Sequence, residues 1–135
     1  MTGGPELCVG AIAVSAGKLL LIQRGTEPER GRWSLPGGRV DGGELLAAAV
    51  VREMAEETGV EAVCGRFVGL VERFPAGRHL VILDYEVTVL GHQEPTAGDD
   101  AMGAAWIPLE DVAELDLADG LAAFLVEHDI IDTII

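Results

Sequence analysis

Positive charge is scarce in this chain: nine lysines and arginines stand against 23 aspartates and glutamates, a formal net charge of −14. Proteins that track a phosphate backbone neutralise it with clustered cations, so this balance excludes a broad footprint on DNA or long RNA. Cysteine is almost missing. Cys8 and Cys64 lie far apart, each in an apolar, strand-like stretch, with no C-x-x-C pair and no disulfide framework. Both read as buried, reduced thiols. No apolar run reaches the roughly 18–20 residues that cross a bilayer, and "MTGGPELCVG" has neither the basic nor the apolar region of a secretory signal. The expectation is a cytoplasmic protein with no membrane partner. Repeats and low-complexity tracts are absent, as are the G-x-x-x-x-G-K-[ST], G-x-S-x-G and H-E-x-x-H motifs. His79, His92 and His128 are dispersed, and His92 reads as a solvent-exposed turn residue.

What is present is an ordinary globular composition, 49% hydrophobic and 24% charged, in a length that suits one domain over residues 1–135. "LCVGAIAV" (Leu7–Val14) and "KLLLIQR" (Lys18–Arg24) are nearly continuous apolar runs, as expected for strands covered on both faces and joined by a short turn. Residues 25–38 are rich in Gly, Pro and charge and read as a loop around "RWSLP". "AVCGRFVGLVERF" and "HLVILDYEVTVL" are β-type runs that pair antiparallel across "PAGR". "GHQEPTAGDDAM" is a polar loop, "GAAWIP" a short strand, "LEDVAEL" a brief helix and "LADGLAAFLVEHD" an amphipathic one. Strands, a buried helix, more strands and a second helix imply an α/β sandwich with a mixed sheet between helices.

The strongest helix signal runs from Glu44 to Glu57, built from Ala, Leu, Met, Glu and Arg without Gly or Pro. Gly42 and Gly43 precede it, and Gly59 suits the left-handed position after its end. Leu45, Ala48, Ala49, Val51, Met54 and Ala55 cover much of its circumference, so burial against a sheet is expected. The puzzle is Glu53, Glu56 and Glu57. At this spacing they share one face, where like charges repel by ~0.2–0.5 kcal/mol per pair even in water. Clustered carboxylates are hard oxygen ligands suited to Mg2+ or Mn2+, and a cation would offset that repulsion.

The stretch in full runs Gly38, five residues, Glu44, seven residues, then "REMAEETGV" from Arg52 to Val60. It resembles the Nudix box, Gly-x5-Glu-x7-Arg-Glu-U-x-Glu-Glu-x-Gly-U with U aliphatic, at every defined position, and the chain is identified as a member of the Nudix hydrolase family over residues 38–60. Chance alone would produce that match with odds on the order of one in a million. The resemblance implies metal binding by Glu56 and Glu57, with Glu53 binding or orienting alongside and the carbonyl of Gly37 completing the site. It also implies that Arg52 holds a catalytic glutamate in place and that Gly38, Glu44 and Gly59 support the site. The implied reaction is hydrolysis of a diphosphate linkage, with a carboxylate accepting the proton of the attacking water. Glu53 and Glu56 are candidates for that base within the box. Asp99 and Asp100, in "AGDDAM", are candidates outside it for base, metal or substrate contacts, although an Asp-Asp pair in a loop also serves as a turn cap.

The substrate is less legible. Arg24, Arg30, Arg32 and Arg39 cluster around the glycines, and of these Arg24 and Arg39 suit a grip on phosphate oxygens. Trp33 reads as a core anchor or a stacking surface, and Phe67, Phe74 and Tyr85 as strand or core residues. "HLVILDYEVTVLGHQEPTAGDDAMGAAWIPLEDVAEL" is similar to the ADP-ribose pyrophosphatase-like branch of the family, and Pro75 lies fifteen residues after Val60, where ADP-ribose-cleaving members tend to carry proline. ADP-ribose or another nucleoside diphosphate sugar therefore ranks first. Hydrolysis of nucleoside triphosphates, in the MutT manner of clearing oxidised nucleotides, ranks second, and a sensor that binds without cleaving ranks third. The apolar ending "IIDTII" packs back onto the domain or against a second copy in a homodimer.

Overall fold

The computed structural model describes residues 3–132. Strands β1 (Glu6–Ser15) and β2 (Lys18–Arg24) form a hairpin whose two turn residues, Ala16 and Gly17, both have positive φ, 51° and 74°. That backbone matches the twist of the strands it joins. β1 runs parallel to β6 (Leu80–Val89), and β6 pairs antiparallel with β5 (Ala62–Arg73) at the sheet edge. The other edge of β1 is shared: β4 (Gly37–Arg39) takes its first half, and β2 takes Val14 and Ser15. β2 then diverges to pair with β7 (Ala101–Pro108) on one edge and with the two-residue β3 (Trp33–Ser34) on the other. The result is a seven-stranded mixed sheet.

Alternation along the strands builds two cores. Val9, Ala11, Ala13, Leu20 and Val87 pack against Ala49, Val50 and Met54 of helix α1 (Leu46–Thr58) on one face. On the other, Ile12, Leu19 and Leu21 pack against Val112, from a 3-10 segment (Leu109–Glu114), and against Phe124 and Leu125 of α2 (Leu121–Glu127). Full burial of each Leu or Ile stabilises by ~1.5–3 kcal/mol, and Ile12, Leu19, Leu20 and Leu21 are fully buried. The expected sandwich is present.

Several boundaries differ from the sequence reading. The first helix begins at Leu46, not Glu44, because Asp41–Glu44 form a turn: Glu44 N–H donates to the Asp41 carbonyl at 3.0 Å, with Gly43 at φ 79°. Leu45, Ala48 and Ala55 are exposed, since the sheet covers a single stripe of the helix through Ala49, Val50, Met54 and Thr58. Helix α2 starts only after Gly120, which at φ 81° sits in a left-handed conformation outside the helix. The loop of residues 25–38 contains β3 and reaches β4, both held by partners distant in sequence. Phe67 lies in strand β5 as expected, 47% exposed, whereas Phe74 falls just past the strand, 67% exposed and stacked on His79. Cys8 is buried and Cys64 half-buried, and both are free thiols. Trp33 is a partly buried anchor of the second core. Ile131 is buried and Ile130 packs beside it, so the start of the apolar ending folds back; residues 133–135 lie outside the described residues. No helix among the described residues is long and apolar enough to cross a membrane.

Candidate active site

The three glutamates of α1 share a helix but not an environment. Glu56 is exposed, Glu53 is nearly buried and Glu57 faces inward. Arg52 organises the outer two. Its Nε and Nη2 donate to both oxygens of Glu44 at 2.7 and 2.9 Å, while Nη1 donates to Glu53 at 2.8 Å and Glu56 at 3.1 Å. Nη2 also donates to the Arg39 carbonyl at 3.0 Å. This fork accounts for the choice of Arg, since a lysine ammonium has no planar array of donors. The guanidinium, with Asp41 N–H, holds the Glu44 carboxyl down to about 2. Burial nonetheless raises the Glu53 carboxyl above its usual range, against the pull of Arg52.

Glu57 is the pivotal side chain. Burial pushes its carboxyl up to about 7, opposed by Gly37 N–H and by Arg24, and reinforced by the negative charges of Glu53 and Asp100. Its one side-chain hydrogen bond, from Gly37 N–H, is a long 3.4 Å. The two glycines before it are required by space. A Cβ on Gly38 would run into the Glu53 carboxylate, and one on Gly37 would strike the Val9 carbonyl. Gly59, at φ 71°, ends the helix as expected, its N–H bonding the Ala55 carbonyl at 2.8 Å.

The structure also brings in the loop after β6. Thr96 N–H donates to the Thr58 carbonyl at 2.8 Å and Gly98 N–H to the Glu57 carbonyl at 2.9 Å, which satisfies carbonyls left open at the end of α1. Asp99 and Asp100 follow in the middle of a turn closed by Ala101 N–H on the Gly98 carbonyl at 3.2 Å, and Gly25 N–H fastens the Asp100 carbonyl at 3.1 Å. Asp99 and Asp100 are thus turn residues, and Asp100 also bears on Glu57. The sequence reading missed the role of Gly98, which lets the loop approach the Glu56 carbonyl. It also missed Glu29. This residue has φ 62° and accepts from Arg32 at 3.2 Å, Arg73 at 3.0 Å and Asp119 N–H at 2.7 Å. Those partners lie 3, 44 and 90 positions away, so no local pattern signals them.

Of the two arginines expected to contact substrate, Arg24 sits within the field of Glu57, with its Nε tied to the Pro28 carbonyl at 2.8 Å. Arg39 instead pairs with Glu6 at 3.0 Å, alongside Arg78. As the side chains stand, no three acidic, histidine or cysteine groups among the described residues converge to enclose an ion. Arg52 takes one oxygen of Glu53 and one of Glu56, which leaves the second oxygen of each for an ion. The donor set still fits: Glu57 is a half-buried carboxyl with one long hydrogen bond, beside the backbone of two glycines, and hard oxygens suit Mg2+ or Mn2+.

Comparison with known proteins agrees with this geometry. The NUDIX domain family model matches residues 4–127. An ADP-ribose pyrophosphatase of Methanocaldococcus jannaschii is 37% identical over 82% of this chain, although the match spans 66% of that protein, just under two thirds. A CTP pyrophosphohydrolase of Escherichia coli K12 is 33% identical over 82% of this chain and 81% of its own length. Among solved structures, a MutT NUDIX hydrolase from Burkholderia pseudomallei superposes with a TM-score of 0.81 at 32% identity, covering 93% of this chain and 98% of the other. By its box, its mixed sheet between helices and these likenesses, the chain belongs to the NUDIX domain family.

Proposed function

We propose that this chain acts in the cytoplasm as one catalytic unit over residues 1–135, hydrolysing the pyrophosphate linkage that joins a nucleoside diphosphate to a second moiety. ADP-ribose or a related nucleoside diphosphate sugar is the first candidate. The observation that carries the reading is the placement of Glu57: a half-buried carboxyl facing Gly37 N–H, within the fields of Arg24, Glu53 and Asp100.

Glu53, Glu56, Glu57 and the carbonyl of Gly37 would hold Mg2+ or Mn2+. When bound, the ion supplies charge neutralisation at the diphosphate and lowers the pKa of a water. The protein's own groups do the rest. Arg52, fastened by Glu44, orients Glu53 and Glu56. A carboxylate takes the proton of the attacking water, drawn from Glu53, Glu56 or Asp100. Arg24 grips phosphate oxygens, and Asp99, on the same turn as Asp100, contacts the substrate. Arg39 has the weaker claim, since it must first leave Glu6.

The archaeal relative's name and Pro75 support ADP-ribose. The Escherichia coli relative's name favours the runner-up, pyrophosphate release from a nucleoside triphosphate. A sensing module without turnover is the third reading, disfavoured by the intact set Arg52, Glu53, Glu56 and Glu57. Exposed Phe67 and Leu70 on edge strand β5 support a homodimer, which sedimentation would test. A panel of nucleoside diphosphate sugars and triphosphates with Mg2+ separates the readings. Release of AMP and ribose phosphate supports the first, and release of monophosphate and pyrophosphate the second. Saturable binding with no product supports the sensor.

A further inference from the structure

Glu29 belongs to a closed loop. Arg24 N–H donates to the Arg32 carbonyl and Gly31 N–H to the Arg24 carbonyl, each at 2.8 Å, so residues 25–31 leave the end of β2 and return beside it. Gly25 N–H ties the start of the loop to the Asp100 carbonyl. Glu29 has φ 62°, a left-handed conformation that a glutamate keeps only where its surroundings fix it. Those surroundings come from three places in the chain. Glu29 Oε1 accepts from Asp119 N–H, just before α2, at 2.7 Å and from Arg32 Nη1 at 3.2 Å. Its Oε2 accepts at 3.0 Å from Nη2 of Arg73, the last residue of β5.

Both carboxylate oxygens are in use, and the side chain is 17% exposed. Burial works against its charge, but Asp119 N–H, Arg73 and Arg32 together outweigh it and hold the carboxyl below its usual range. Charge-assisted bonds shielded from water in this way are stronger than exposed surface pairs. What they anchor is the neighbouring Pro28, whose carbonyl accepts from Arg24 Nε at 2.8 Å. Among the described residues that is the one hydrogen bond of the Arg24 guanidinium. The loop therefore fixes its Nε edge and leaves the Nη donors for a substrate. Arg24 bears in turn on Glu57. Glu29 thus reaches the site through Pro28 and Arg24, without contact of its own.

We propose that Glu29 is a positioning residue: its carboxylate clasps the 25–31 loop to β5 and to the segment before α2, and the Pro28 carbonyl so placed aims the Arg24 guanidinium at phosphate oxygens. The assignment rests on the reading that Arg24 grips a diphosphate beside Glu57. It makes a specific demand on charge and shape. Glutamine keeps the length of Glu29, but its amide must face either Arg73 or the pair of Arg32 and Asp119 N–H, donor against donor in both cases. Glycine suits the positive φ better than glutamate and lacks the carboxylate, so it separates the clasp from the backbone turn.

The test couples Glu29 to Arg24. For the nucleotide that is turned over, Glu29→Gln and Glu29→Gly are each expected to lower kcat/KM about tenfold, chiefly through KM. Arg24→Gln lowers it at least as far. Adding Glu29→Gln to Arg24→Gln then costs less than about a further twofold, because the clasp has no guanidinium left to place. A purely structural glutamate would cost the same in both backgrounds. In wild-type protein labelled with 15N, the Arg24 Nε–H exchanges with water about tenfold or more slowly than that of exposed Arg66, and the Glu29 variants abolish the difference. The wild-type half of that measurement stands even where a variant does not fold. Equal losses in the two Arg24 backgrounds, unchanged kcat/KM in the Glu29 variants, or wild-type Arg24 exchange as fast as that of Arg66 each overturns the proposal. Turnover with equal losses removes the clasp and leaves the hydrolase. Where no nucleotide is turned over, the hydrolase falls, and the same cycle read in the Kd for ADP-ribose decides the clasp by the same criterion.

Discussion

Glu44 and Arg52 meet at 2.7 and 2.9 Å although only Arg52 belongs to the helix. The Asp41–Glu44 turn folds the glutamate back over the first turns of α1, where Asp41 N–H also donates to it at 3.1 Å. Two of the three guanidinium nitrogens are thereby committed to Glu44, and the third is aimed at Glu53 and Glu56. Arg52→Lys and Glu44→Gln are both expected to lower kcat by about tenfold or more while changing KM little, because they loosen catalytic carboxylates rather than substrate contacts. Steady-state kinetics on the panel substrate checks this. A change confined to KM contradicts the positioning role.

Glu57→Gln should leave the fold intact and lower turnover by roughly 10²–10³-fold. The same variant tests the cation directly. Mg2+ at a hundred times its dissociation constant stabilises the native state by ~2.7 kcal/mol. Thermal melts of the wild type should therefore rise with Mg2+ and fall back with chelator, and those of Glu57→Gln should respond weakly. Equal responses would remove Glu57 from the ligand set.

Gly38→Ala places a methyl group against the Glu53 carboxylate. That carboxylate terminates a flexible side chain, so the strain is relieved by moving Glu53 rather than by unfolding. The expected outcome is a near-normal melting temperature with kcat reduced about tenfold or more, read by calorimetry and kinetics on the same preparation.

Stability of the metal-free protein should fall as pH rises through the range from about 4 to about 7. The Asp84 carboxyl titrates near its ordinary value of 3.8 when unfolded, and burial pushes it up to about 7 when folded. In between, the native state holds the proton that the unfolded chain has released, so the stabilisation is complete below the unfolded value and is lost as pH climbs. At ~1.4 kcal/mol per unit this amounts to about 4 kcal/mol at most. Asp84→Asn should flatten that part of the profile, as followed by urea denaturation at several pH values. An unchanged slope would show that Asp84 ionises freely in the native state.

Local chemistry and long-range packing left different marks here. Glu53, Glu56 and Glu57, the helix that carries them, its terminating Gly59 and the β1–β2 hairpin were legible because each depends on residues within a few positions. The all-round apolar pattern of α1 misled, because alanines are at home on either side of a helix and only the sheet determines which stripe is covered. The graded burial of the glutamates has the same origin: spacing puts them on one face, but the approach of β4 and of the loop after β6 half-covers Glu57 and leaves Glu56 exposed.

The sequence by itself determined the family, the carboxylate spacing and the ladder of apolar strands, since hydrogen bonding and side-chain direction repeat over short intervals. Tertiary structure alone decided that Glu44 reaches Arg52 from outside the helix, that Asp100 bears on Glu57, and that Glu29 gathers Arg32, Arg73 and Asp119. It alone aligned Gly37, Gly10, Asp84 and Gly69 in one row. The reason is register: a strand's partner is chosen by burial of a whole face, so residues far apart in the chain become neighbours with no signal in either one's surroundings.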